Sequence, residues 1–225
     1  MRTSITGLLV LLFVCVSPLL RAQDAIFSQF YASPVYLNPA FAGSAHGYRF
    51  VLNYRDNPAS GFSHFRTFNT AFDHYVPALG GGLALLVTSD HAGNLLVMNQ
   101  ISAIYSVHLR LTDDSYLHFG AQAGYFRKSS LWNRLDFPDP TQAEPPPGNT
   151  FKDGADFASG LLFYHPGFYA GVSVHHLSQP NTSIFNTAGD RIMRKYTFHA
   201  GAHIPLGGQH AYGSRSGPAF LSPNI

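Results

Sequence analysis

The sequence predicts an all-β fold, a transmembrane antiparallel β-barrel of the outer membrane, with about eight strands in this chain and its C-terminal strands missing. Three observations carry that expectation. Polarity alternates with a period of two over long segments, an apolar leader marks export, and the remainder joins few charges to many aromatic residues and glycines.

The alternation is clearest between Asn99 and Arg127. Asn99, Ile101, Ala103, Tyr105, Val107, Leu109 and Leu111 fall on one face, and Gln100, Ser102, Ile104, Ser106, His108 and Arg110 on the other. After the polar turn Thr112-Asp113-Asp114-Ser115, Leu117, Phe119, Ala121, Ala123 and Tyr125 oppose His118, Gly120, Gln122 and Gly124. Successive side chains leave a pleated strand on opposite sides, so this stretch reads as a hairpin. Each half exceeds the ~5–6 residues of an ordinary soluble strand and suits the ~9–11 tilted residues that cross a bilayer. Taken alone, the same residues would also suit one hairpin of a soluble sandwich.

The leader runs from Met1-Arg2-Thr3-Ser4 through an apolar stretch, Ile5 to Val16, to Leu20-Arg21-Ala22. That order is a secretory signal peptide over residues 1–22, with cleavage after Ala22. The apolar run is too short to span a membrane as a helix. The single cysteine, Cys15, lies inside the leader, and Val14 before it is not the small residue a lipoprotein needs. The mature chain is therefore expected to carry no disulfide and no cysteine metal site.

Without Arg2 and Arg21, twelve basic residues face twelve acidic ones. No basic excess remains for nucleic acid or an anionic surface, so neither is an expected partner. Charged residues make up 12% of the chain and aromatic residues 14%, against about 25% charged in soluble domains. No later apolar run is long enough for a membrane helix. Small inward residues and an apolar outer face fit a membrane barrel.

Residues 23–45 form an expected N-terminal periplasmic arm, from Gln23 through Phe27-Ser28-Gln29-Phe30-Tyr31 and Tyr36-Leu37-Asn38-Pro39-Ala40 to Gly43. No period holds there, and Pro34 and Pro39 remove two backbone donors. Two readings stand side by side: a plug that packs the barrel mouth, or a docking surface for a partner. On the second reading Phe27, Gln29, Phe30, Tyr31, Leu37, Asn38 and Pro39 are the partner-binding candidates.

Residues 46–225 are the expected barrel domain. Tyr48, Phe50, Leu52 and Tyr54 alternate with Arg49, Val51, Asn53 and Arg55, and a loop with Asn57-Pro58 and Gly61 leads to a strand over His64–Val76. Leu79–Ser89 follows, its Gly80-Gly81-Gly82 run marking a bend or a close approach; the Gly-Lys-Ser/Thr ending of a phosphate loop is absent. Asp90 to Asn94 makes a turn. Arg127 to Gly154, with Pro138-Asp139-Pro140 and Pro145-Pro146-Pro147, reads as one long extracellular loop. Phe157, Leu161 and Phe163 then face outward before a His165-Pro166-Gly167 turn, and Phe168, Ala170, Val172 and Val174 after it. A polar loop, Ser178 to Arg191, returns to Tyr196, Phe198, Ala200, Ala202 and Ile204, opposite Lys195, Thr197, His199 and His203. The last stretch, Gly217 to Ile225, reads as the beginning of a further strand. An open edge in lipid leaves backbone groups unpaired at several kcal/mol each, so more chain is expected beyond Ile225.

Twelve histidines raise the question of metal. His175 and His176, adjacent in a strand, are expected on opposite faces. His199 and His203 share a face but stand about 13 Å apart along it. Ser173 and His175 share a face, here read as the lumen, so a lipase on the outer surface finds no pair there. No catalytic residue, metal ligand or cofactor is expected.

The motifs quoted for the arm, together with Gly120-Ala121-Gln122-Ala123-Gly124-Tyr125, Trp132-Asn133-Arg134-Leu135 and Tyr169-Ala170-Gly171-Val172-Ser173-Val174-His175-His176-Leu177, resemble the PorP/SprF family of type IX secretion membrane proteins. Gln179-Pro180-Asn181, Arg194 to Gly201 and Leu221 to Ile225 extend the likeness over nearly all the mature chain. The resemblance implies an outer-membrane barrel of about three hundred residues, of which this chain stops short. It also implies a non-enzymatic role in export or surface attachment of secreted proteins, and in gliding motility. Partners would be other secretion components, cargo proteins and outer-membrane lipid. A general porin or small-solute channel is the alternative, and an outer-membrane enzyme a third reading.

Overall fold

The computed structural model describes residues 32–45, 47–58, 64–93, 95–131, 150–184, 191–202, 204–205 and 220–221. Eight strands form one antiparallel sheet in sequence order: β1 (Arg49–Pro58), β2 (His64–Val76), β3 (Gly81–Ala92), β4 (Leu96–Arg110), β5 (Tyr116–Ser130), β6 (Thr150–His165), β7 (Phe168–His175) and β8 (Lys195–Ala202). The sheet curves into a half-barrel. Among the described residues β1 and β8 do not pair with each other, so the sheet is open. Two short pieces, β9 (Ile204–Pro205) and β10 (Phe220–Leu221), pair separately. Among the described residues no helix is long and apolar enough to cross a membrane.

The expected parity holds along the strands. On β4, Ser102, Ile104 and Ser106 are buried, while Ile101, Ala103, Tyr105 and Leu109 are uncovered by the protein. His118, Gly120 and Gln122 of β5 lie inward and Phe119, Ala121, Ala123 and Tyr125 outward. The face that buries these small and polar groups is the inner one. Phe68, Phe72, Phe157, Leu161, Phe168, Val172 and Phe198 all stand on the outer one.

Several boundaries differ from expectation; the strand expected from Leu79 starts at Gly81, and the return strand ends at Ala202, short of Ile204. The stretch read as irregular from Arg127 to Gly154 is strand at both ends, because β5 continues to Ser130 and β6 starts at Thr150. Arg127 bonds Asp153 across the pair at 2.7 Å and lies over the Phe151 ring, which extends the ladder beyond the apolar pattern. The turn expected over Asp90–Asn94 is shorter, since β3 reaches Ala92; Asp90 accepts a bond from Thr67 on the neighbouring strand. Asn57 and Pro58 end β1 and do not belong to a loop.

At the opposite end the connections are short. Pro77–Leu79 is one 3-10 turn closed by Gly80 at φ 60°, a left-handed step that suits glycine. Thr112–Ser115 joins β4 to β5, and Pro166-Gly167 joins β6 to β7, as expected.

Candidate functional site

Inward parity and strand register together build one row across the sheet. Gly82 stands opposite Ser106, Ser106 opposite Gly120, Gly120 opposite Gly160, Gly160 opposite Ser173, and Ser173 opposite Thr197. No side chain in this row is larger than threonine. The result is a trough running across the inner face from β3 to β8, at right angles to the usual direction of a sequence pattern.

The arm lies in that trough. It contains helix α1 (Pro34–Leu37) and a 3-10 turn over Pro39–Phe41, each with proline at its first position, where the missing N–H costs no helical bond. The segment Leu37–Gly43 then crosses the sheet as a strap. A Cβ at Gly160 would overlap the Asn38 amide, one at Gly120 would overlap the backbone of Pro39 and Ala40, and one at Gly82 would overlap Ala42 and Gly43. The three glycines are what allow backbone to lie on backbone.

The strap pairs with no strand among the described residues; its own turns satisfy the carbonyls of Asn38, Pro39 and Phe41, and those of Leu37, Ala40 and Ala42 meet side-chain groups of the sheet. Ser173 Oγ donates to Leu37 O at 2.9 Å and Ser106 Oγ to Ala40 O at 3.1 Å. Three histidines add to them: His175 Nε2 at 3.2 Å from Leu37 O, His118 Nδ1 at 3.3 Å from Ala40 O, and His108 Nε2 at 3.0 Å from Ala42 O. A carbonyl only accepts, so each of those nitrogens carries the hydrogen. The rings of His108 and His118 stack parallel at 3.7 Å.

Asn38 is the centre of the strap. Its Oδ1 accepts from Ala40 N at 2.9 Å. Its Nδ2 lies 3.1 Å from the carbonyls of Leu161 and Val172 and 2.9 Å from His199 Nε2. An amide nitrogen has no lone pair to offer, so His199 turns an unprotonated Nε2 toward it.

The far end of the strap is fastened by charge. Asp73 is fully buried and receives Arg49 twice, Nε at 2.7 Å and Nη2 at 2.9 Å. The same carboxylate accepts Gly43 N at 2.8 Å, and Arg49 also donates to Phe41 O at 3.0 Å. The residues that precede the strap reach the same region: Ser33 Oγ donates to Asn69 of β2, and Val35 packs with Ala42, Ala71, Ala84, Leu86 and Ile104.

Of the partner-binding candidates, Phe27, Gln29, Phe30 and Tyr31 lie outside the described residues. Leu37 is half-buried, and Asn38 and Pro39 are fully buried against the inner face of their own sheet. The signal peptide expected over residues 1–22, and His203, also lie outside the described residues.

One histidine expectation is overturned. His175 ends β7, and His176 takes φ 58°, a left-handed step that breaks the alternation. Both rings are therefore buried, 6.4 Å apart, and His176 Nδ1 sits 2.7 Å from Asp156 Oδ2. Among the described residues no three His, Cys, Asp or Glu side chains cluster closely enough to hold a metal ion.

Sequence reasoning missed the trough and its donors. The signal was present as a small residue at one inward position of β3, β4, β5, β6 and β7, but nothing local says those positions lie in one row. A family model described as type IX secretion system membrane protein PorP/SprF matches residues 19–221. No curated protein and no solved structure matches the chain.

Proposed function

The chain belongs to the PorP/SprF family of type IX secretion system membrane proteins, and from that premise we propose that it is a non-enzymatic outer-membrane component that supports export or surface attachment of secreted proteins. In cells that glide, the same role serves motility. Residues 1–22 act as the signal peptide, 23–45 as the arm on the periplasmic side, and 46–225 as the barrel domain in outer-membrane lipid. The partners are other secretion components and the cargo.

The observation that carries this reading is the strap. Its fastening by Ser106, Ser173, Asn38 and the Arg49–Asp73 pair occupies the inner face that a diffusion channel would leave to water. That favours a secretion component over a general porin. The apolar outer face supports contact with lipid, since on β4 it runs from Ile101 to Leu109, about 25–30 Å along the strand.

The test is deletion of the gene in its own host, followed by assay of surface-attached and released cargo. Loss of cargo from the surface with the other secretion components still present is the expected result. Unchanged secretion and attachment would count against the role. Replacing Phe27, Phe30 and Tyr31 together with alanine is expected to release a co-purifying secretion component while the barrel still assembles, and retained co-purification would reject the arm as a docking element.

A further inference from the structure

The outer face carries a notch that strand register explains. Along one cross-strand row Leu109 stands opposite Leu117, Leu117 opposite Phe163, Phe163 opposite Ala170, and Ala170 opposite Ala200. All five have outward parity, so the side chains shrink to methyl groups as the row passes from β6 to β7 and β8. The neighbouring row stays large, with Phe119, Leu161, Val172 and Phe198 in line. Two alanines walled by Phe163, Leu161, Val172 and Phe198 leave a cavity of about 430 Å³. The Phe163 ring is braced by Phe168, with centroids 5.7 Å apart.

Three observations identify the occupant. The first is chemistry, since every side chain facing the notch is hydrocarbon. His199 also borders it, but its ring turns to the inner face, where Nε2 meets Asn38 at 2.9 Å. No group remains there to hold an ion, a headgroup or a polar peptide. The second is place. The two rows are those of Leu109, Leu117 and Phe119, so the notch is continuous with the apolar band of β4 and β5. Beside it Phe198 is 76% exposed, a ring with most of its surface uncovered. The third is size. The volume equals about one turn of an α-helix, too little to seat a membrane helix, whereas a single hydrocarbon chain is far narrower.

We propose that the notch seats one acyl chain of an outer-membrane phospholipid, laid over Ala170 and Ala200 between the rings of Phe163 and Phe198. Among lipid tails no hydrophobic drive separates one apolar surface from another, so shape decides what stays. A chain in a concave site touches protein on several sides, and a chain against a flat wall on one. The inference rests on the lipid-facing reading of this face and deepens it, from general contact to one seated chain.

The experiment is native mass spectrometry of the full-length protein, reconstituted in vesicles of dioleoyl phosphatidylcholine or dioleoyl phosphatidylglycerol and released from detergent micelles. One retained phospholipid per protein is expected with either headgroup. Ala170→Phe and Ala200→Phe fill the notch and are each expected to lower the retained fraction several-fold. Ala103→Phe, at an outward alanine away from the notch, should leave it unchanged, and all three proteins should keep the heat-modifiable mobility of a folded barrel. No retained lipid, retention that follows the headgroup, or equal retention by the parent and both filled proteins would overturn the proposal. The lipid-facing reading is checked separately: in a Trp132→Phe background, Ala103→Trp fluorescence should be quenched by phospholipid with brominated chains. Quenching there with no lipid held by the notch rejects the seated chain alone; no quenching rejects the lipid-facing reading and the proposal with it.

Discussion

Asn38 and Asp73 show how single polar groups hold a segment that pairs with no strand among the described residues. Asn38 uses both ends of its amide, and Asp73 joins β1, β2 and the strap through three hydrogen bonds. Breaking a buried ion pair by removing one partner usually costs about 3–5 kcal/mol, because the other charge is left uncompensated. Arg49 keeps partial water contact, so Asp73→Ala is expected at the lower end, about 3 kcal/mol, read from urea unfolding of the protein in micelles. Replacing both partners by apolar residues, Arg49→Met with Asp73→Leu, should recover much of that loss; a double variant no better than the single one would mean that the Gly43 bond dominates. Gly120→Val tests the trough. A branched side chain there meets the backbone of Pro39 and Ala40, and the expected outcome is protease cleavage within Leu37–Gly43 that the parent protein resists, with the barrel still heat-modifiable.

At the scale of elements, the strap and the sheet satisfy different needs of the same chain. The strands pair with one another and leave a row of small residues; the strap supplies the surface that fills it. Deleting Ser33–Gly43 is expected to leave an assembled barrel with an unfilled inner face, and planar-bilayer recording should then show larger and more frequent conductance than the parent protein. Equal conductance before and after deletion would show that the strap seals nothing. The long strands also explain the shifted boundaries. β5 and β6 remain paired beyond the apolar band through Arg127 and Asp153, an exposed pair of the kind that contributes at most about 1 kcal/mol, so its role is to continue the register.

For the whole molecule, the outward side chains divide into layers. Ile101, Ala103, Tyr105 and Leu109 on β4 and Leu117, Phe119, Ala121 and Tyr125 on β5 form the apolar band, and Ser89, Asn99, Arg127 and Asp153 border it on one side. A cation in the middle of such a band costs about 2–4 kcal/mol in lipid. Ala103→Arg is therefore expected to destabilise the protein by that amount in lipid vesicles, measured by denaturant unfolding. An Ala103→Arg protein as stable as the parent would contradict the lipid-facing assignment of this face.

The sequence by itself determined the strands, their faces and most of their turns, because a period of two is a local property: whether Tyr105 or Ser106 points inward follows from its neighbours alone. It also carried the family signature through the arm and strand motifs. Only the tertiary structure decided that Gly82, Ser106, Gly120, Gly160 and Ser173 stand in one line, since that line exists across the hydrogen bonds between strands and depends on where each hairpin turns. The same holds for His176, whose left-handed backbone step cancels the parity argument, and for the arm, where Asn38 finds its acceptors on strands more than a hundred residues away. Alternation fixes which way a side chain faces; register and backbone handedness fix what it meets.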